Sequence, residues 1–264
     1  MLLAICLILI GAGSCLAQSR VQAKHGRVEL LSRPTHDGVC MGIHFTLEKD
    51  WHIYWLNPGD SGQPPTFHWI LPAGASAGGI QWPRPERLQS SPTIADYGYK
   101  DDVVLLVPLR FPQKNLKAEI SLNAKWLICR EVCLPDHAYL KLSPTVASAG
   151  QQARVAQLFA RTKVLLPRTW PAAWKLNAES RKDDFVLTII TGRPLTQAEV
   201  FPRDPGQIDN AAKQRLTTTA TGARLVLKKS DLLLKPLPEL RGVLVINNRA
   251  YQVRAPVTVQ VALK

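Results

Sequence analysis

The residues best suited to do chemistry in this chain are two thiols four positions apart, in the run Trp126-Leu127-Ile128-Cys129-Arg130-Glu131-Val132-Cys133-Leu134-Pro135. Close spacing lets one sulfur form a mixed disulfide and the other resolve it, which is the arrangement reversible exchange needs. In an extended strand the two Cα atoms would stand about 13 Å apart, at roughly 3.3 Å per residue. A disulfide needs about 4.4–6.8 Å, so the chain must bend or coil between them if they pair. As a staple so short a loop is worth only about 2 kcal/mol. Lys125 and Arg130 favour a thiolate, whereas Glu131 and Asp136 oppose it. Alternation along the preceding strand puts Cys129 in phase with Asn123 and Lys125, on the polar face, and makes it a candidate for the accessible sulfur. Cys129, Cys133 and His137 also recur every four residues. On a helix they would share a face and suit Cu(I) or Zn(II), although Pro135 argues against a continuous helix. Three functions stay open: thiol–disulfide exchange, metal binding by the same sulfurs, and a noncatalytic sandwich with a structural bridge.

Other motifs have plainer readings. Gly59-Asp60-Ser61-Gly62 mimics a serine-protease nucleophile motif, but it sits in a Pro-Gly turn with no pattern to supply a base and an orienting acid. His44 and His52, among aromatic strand residues, read as core or edge packing. Trp51, Trp55, Trp69 and Trp82 read as core, and Cys40, inside a strand, as a buried thiol.

These residues must be positioned by strands. Val39, Met41, Ile43, Phe45 and Leu47 alternate with polar residues, and so do Leu116 to Ile128, the signature of half-buried strands. Further strands are predicted at Val103–Leu109 and Tyr139–Leu142, with turns at Asn57-Pro58-Gly59-Asp60 and Pro72-Ala73-Gly74. Gly150–Lys163 carries Val155, Leu158 and Phe159 at helical spacing and is ended by Pro167 and Pro171. Strands return at Phe185–Thr191, Ala223–Lys228, Gly242–Asn247 and Tyr251–Ala262. Asn247-Asn248 suits a hairpin turn, and 203–221 reads as a long loop. The expectation is an all-β chain of two antiparallel β-sandwiches, 18–147 and 173–264, joined by a helical linker over 148–172.

Leu2–Ile10 is apolar and is followed by Gly11-Ala12-Gly13-Ser14-Cys15-Leu16-Ala17, which reads as a signal peptide cut after Ala17. Its missing basic n-region points to a translational start upstream of Met1. Cys15 offers an alternative lipid anchor, less well matched because Ala12 stands where leucine is usual. Removing the segment leaves three of the five cysteines, an odd count in an oxidising compartment. The net charge of +13 over 264 residues is scattered, without nucleic-acid motifs. It suits anionic membrane surfaces or acidic proteins rather than nucleic acid.

Taken in order, Trp51-His52-Ile53-Tyr54-Trp55-Leu56-Asn57-Pro58-Gly59-Asp60-Ser61-Gly62, Gln81-Trp82-Pro83, Tyr97-Gly98-Tyr99 and the Cys-x-x-x-Cys followed by Leu-Pro resemble the N-terminal periplasmic domain of DsbD, on its ScsB-like branch. The resemblance covers about 26–145, and the second β-domain of ScsB-like proteins is echoed in Phe201-Pro202 and Gly242-Val243-Leu244. It implies an immunoglobulin-like domain with a redox-active pair, Cys129 and Cys133; their proximity and the odd cysteine count leave Cys40 free, and no cofactor is expected. It further implies a cap loop matching Asp96, Tyr97, Gly98 and Tyr99, with Tyr54 near the sulfurs. Cys133 would bond the partner and Cys129 would resolve, against the strand-phase reading. The expected partners are a thioredoxin-like electron donor, a membrane-bound redox partner, and periplasmic disulfide proteins as acceptors. DsbD continues into membrane and thioredoxin-like domains that this sequence does not contain, so the donor is expected on a separate chain. DsbD proper also has more residues between its cysteines.

Overall fold

The computed structural model describes residues 18–111, 119–143 and 149–259. The signal segment with Cys15, and Leu116–Ala118 of the anticipated strand, lie outside the described residues.

The first half is built from β1 (Arg20–Ala23), β2 (Gly26–Thr35), β3 (Gly38–Leu47), β4 (His52–Gly59), β5 (Thr66–Ile70), β6 (Ser76–Ala77), β7 (Glu86–Ser91), β8 (Ile94–Lys100), β9 (Asp102–Arg110), β10 (Ile120–Cys129) and β11 (Cys133–Leu142). One sheet runs β1-β2-β3-β9-β6. The other runs β11-β10-β4-β8-β7, with β5 also paired to β10. Alternation dictates what lies between them. Met41, Ile43 and Phe45 from β3 meet Ile53 and Trp55 from β4 and Trp126 and Ile128 from β10 in one core. The residues between those positions point outward.

Helix α1 (Ala149–Leu165) lies on the outer face of the first sheet. Val155 and Phe159 pack on Leu31, Val104 and Leu106. Arg154 reaches Glu29, which also accepts from Arg20. His44 joins this group between Glu29 and Asp102, so one of the two histidines read as packing residues sits in an ion cluster.

The second half holds β12 (Arg168–Thr169), β13 (Lys175–Ser180), β14 (Asp184–Ile190), β15 (Ala198–Pro202), β16 (Arg215–Thr219), β17 (Gly222–Lys228), β18 (Glu239–Ile246) and β19 (Arg249–Val259). Its layers come from a single eight-stranded sheet, ordered β15-β18-β19-β13-β14-β17-β16, with β12 also paired to β19. The long β19 pairs with β18 up to Pro256 and with β13 beyond it. Leu187 and Leu225 thereby share a core with Val200, Leu244 and Val253.

Asn247 and Asn248 make the β18–β19 turn, both at positive φ, as hairpin chemistry requires. Two loop readings are corrected. Residues 203–221 contain β16, which β17 recruits by pairing from Arg215 to Thr219; its Thr-rich sequence lacks the apolar alternation that would have shown it. Asn57–Gly59 ends strand β4 rather than forming a free turn. The register shifts there against β8, and Gly59 takes φ 90°.

Candidate functional site

Strand β10 and strand β11 form a hairpin whose last register pair is Cys129 and Cys133. The bend that pairing demands is supplied by Arg130-Glu131-Val132, with the Arg130 amide bonded to the Val132 carbonyl. This brings the Cα atoms to 4.2 Å, and the sulfurs form a disulfide. Cys40 is a free, half-buried thiol, and burial, only partly offset by Lys163 and Arg33, raises its pKa.

The two sulfurs are not equivalent. Cys129 is 1% exposed, whereas Cys133 is exposed on the edge strand. The strand-phase expectation that Cys129 is the accessible sulfur is therefore corrected. Cys129 does alternate with Asn123 and Lys125, which are exposed. At its end of the sheet, however, β4 replaces β5 as the neighbour of β10. The outer face there is covered by side chains from β4, among them Tyr54, whose hydroxyl donates to Cys129 Sγ at 3.1 Å and lies 3.2 Å from Cys133 Sγ.

The Gly-Asp-Ser-Gly run fixes that phenol. The Ser61 hydroxyl lies 3.3 Å from the Tyr54 hydroxyl and donates to Asp96 Oδ2, while the Ser61 amide donates to Asp96 Oδ1. Asp60 accepts from the Ala95 amide and from the Asn210 side chain. At Gly62, with φ 71°, a Cβ would fall inside the Tyr54 ring, so only glycine lets the loop close over it. Burial raises the Tyr54 pKa despite the Ser61 contact, and the phenol remains a proton donor at neutral pH.

Of the other residues expected to cap the pair, Asp96, Tyr97, Gly98 and Tyr99 lie in strand β8, not in a loop, because β4 and β7 pair with it on both sides. Asp96 is 2% exposed and reaches the sulfurs at second hand, through Ser61 and Tyr54. The Tyr97 hydroxyl donates to Asn210 and that of Tyr99 to the Pro83 carbonyl. Gly98 sits directly across from Tyr54. Trp51 anchors the hairpin loop: His25 stacks on it at 3.7 Å and the Arg130 guanidinium lies 5.3 Å from its ring centre.

The metal alternative loses its geometry. His137 pairs with Lys125 on the same extended strand as Cys133, about 13 Å along it at roughly 3.3 Å per residue. Among the described residues no group of three or more His, Cys, Asp or Glu is placed to hold a metal ion. A cleft of about 1030 Å³ between the halves is lined by Trp55, Trp82, Trp170, Arg203, Arg241 and Arg254 among others. None of Cys129, Cys133 and Tyr54 lines it.

Ser61 and Asn210 are the contributors that sequence reading missed. The first lies in a motif whose sequence reads as a plain turn with no chemical role. The second lies beyond 200 in sequence and meets the site only through tertiary contact.

Residues 22–143 match the protein family described as thiol:disulfide interchange protein DsbD, N-terminal. No curated protein matches. Among solved structures, the fold is similar to the N-terminal periplasmic domain of ScsB from Proteus mirabilis, with a TM-score of 0.71 and 18% identity, covering 91% of this chain and 99% of that one. At that identity the likeness is one of fold, and it extends through both halves.

Proposed function

We propose, from the match of residues 22–143 to the N-terminal domain of thiol:disulfide interchange proteins, that this protein is an exported thiol–disulfide exchange domain working through Cys133 and Cys129. The observation that carries the reading is the asymmetry of the pair: one sulfur exposed on an edge strand, the other buried behind it. In the reduced protein the Cys133 thiolate attacks a partner disulfide. A Cys133–partner bond forms, the partner S–S bond breaks, and one partner sulfur leaves and takes a proton. Cys129 then attacks Cys133 Sγ, the mixed disulfide breaks, and the second partner sulfur leaves and takes a proton. Two electrons pass from the pair to the partner. Tyr54 stands where its hydroxyl serves either sulfur. Electrons return from a thioredoxin-like module, and the acceptors are periplasmic disulfide proteins. Cleavage after Ala17 would release the chain into that compartment. Among the described residues no helix is long and apolar enough to cross a membrane.

Trapping tests this directly. Cys129→Ala should accumulate a mixed disulfide with a thioredoxin-like protein, and Cys133→Ala should not. Capture by Cys133→Ala alone reverses the roles. A midpoint potential below about −300 mV would mark the bridge as structural and end the exchange reading.

A further inference from the structure

His52 is the cross-strand neighbour of Cys129: the β4–β10 register pairs the two residues directly. Directly opposed side chains in an antiparallel pair project from the same face, with Cβ atoms about 4.5–5.5 Å apart. The imidazole is only 5% exposed, and its ring stands perpendicular to that of Tyr54, with centres 5.2 Å apart. Its Nε2 is wholly buried and has no hydrogen-bond partner. A buried polar nitrogen without a partner costs about 1–3 kcal/mol. Packing does not call for it, since Phe or Leu would fill the place without that cost.

The oxidised pair offers His52 no proton, because neither sulfur carries one. Reduction changes this. Opening the bridge creates a thiol at Cys129, in a site closed to water on the side of the core and of the Tyr54 ring. We propose that His52 is the base for Cys129: it accepts the thiol proton when Cys129 resolves the mixed disulfide, and returns it when the pair is reduced. This rests on the exchange reading above and deepens it.

The step balances. Cys129 S–H gives its proton to His52 Nε2, and the thiolate attacks Cys133 Sγ. The Cys129–Cys133 bond forms and the Cys133–partner bond breaks. The departing partner thiolate takes up a proton, and His52 becomes neutral again by releasing its own. The groups that act on the ring are consistent with a neutral base. Burial holds it below the ordinary histidine range, while Asp96 and Lys100 of β8 pull in opposite directions. Tyr54 on its own strand and Cys129 across the sheet are further titratable groups placed against it.

The test uses the reduced full-length protein in a Cys40→Ala background and an aryl disulfide that releases a coloured thiolate. The first equivalent reports attack by Cys133, and the second reports closure by Cys129. His52→Gln and His52→Phe should leave the first phase within about twofold and slow the second about a hundredfold, the lower end of general-base effects. The wild-type second phase should be flat with pH down into the range where His52 protonates. In the variants it should fall about tenfold per pH unit below the thiol pKa, following the thiolate fraction. An unchanged second phase in both variants, or a wild-type profile that simply tracks thiol ionisation, overturns the role of His52 and leaves exchange standing. A wild-type protein that never releases the second equivalent sinks the exchange reading itself.

Discussion

A phenol, a serine and a glycine decide how the sulfurs are presented. The Tyr54 hydroxyl contacts both sulfurs, and a donor stabilises a thiolate more than a disulfide sulfur, since charged acceptors form stronger hydrogen bonds. Tyr54→Phe should therefore shift equilibrium with a glutathione buffer toward the disulfide. The shift should be about 2–10-fold, the equivalent of a net hydrogen bond of roughly 0.5–1.5 kcal/mol, and mass spectrometry after alkylation would read it. Gly62→Ala should shift the same equilibrium in the same direction, because the added methyl displaces the Tyr54 ring. It should also cost about 1–3 kcal/mol of stability, as overpacking does, which denaturant titration separates from the redox effect.

At the level of elements, a buried ion cluster seats the helix on the first sheet. Burial alone would raise Glu29, but the His44 imidazole 3.6 Å away and hydrogen bonds from Arg154 and Arg20 bring its carboxyl down to about 2. Burial lowers His44, yet Asp102 and Glu29 outweigh it and leave the imidazole raised. The signs then follow. The Glu29 contribution is complete above its unfolded value of about 4.3 and is lost as pH falls through about 2. The His44 contribution is complete below its unfolded value of about 6.5 and is lost as pH rises through the raised folded value. The cluster should therefore stabilise most between about pH 4.3 and 6.5. His44→Gln should be more destabilising, relative to wild type, at about pH 5.5 than at about pH 9, as thermal melts at the two values would show. A constant difference would mean that His44 is neutral in the folded protein.

Across the whole molecule, the halves are joined by contacts that end at the site. Phe201 and Val243 of the second half belong to the core of the first, and Phe201 packs edge-on against Trp55 and Tyr97. Arg87 donates to the carbonyls of Asn210, Ala211 and Ala212, and Asn57 donates to that of Pro202. Asn210 in turn holds Asp60, one residue from Ser61. Calorimetry should therefore show one cooperative unfolding transition for the full chain. Phe201→Ala should lower stability by about 3–5 kcal/mol, as large-to-small core changes do, and split the transition in two. Two transitions already in the wild type would show that the shared core does not couple the halves.

Period-two alternation made β3 and β10 legible, because each repeats its core-facing residues at every second position, and apolar runs marked β9 and four of the eight second-half strands, β14, β17, β18 and β19. Helix α1 was legible for the corresponding reason at a period near 3.6. Local chemistry also reached the Asn247-Asn248 turn and the nearness of the two thiols. It did not reach β16, whose pattern is too polar to mark a face, nor the placement of 96–99 in a strand between two others. Alternation gave Cys129 the right face and the wrong exposure. A strand's own sequence says which way a side chain points, but what covers that side chain is decided by neighbours distant in the chain. Here those neighbours are Tyr54, held by Ser61, Gly62 and Asp96, and His52 across the sheet. Sequence by itself determined the strands with a marked apolar pattern, the helix and the spacing of the sulfurs, all properties of local period and composition. Only tertiary structure decided which sulfur meets solvent and which side chains surround the other, because exposure depends on packing between segments that the order of residues does not place together.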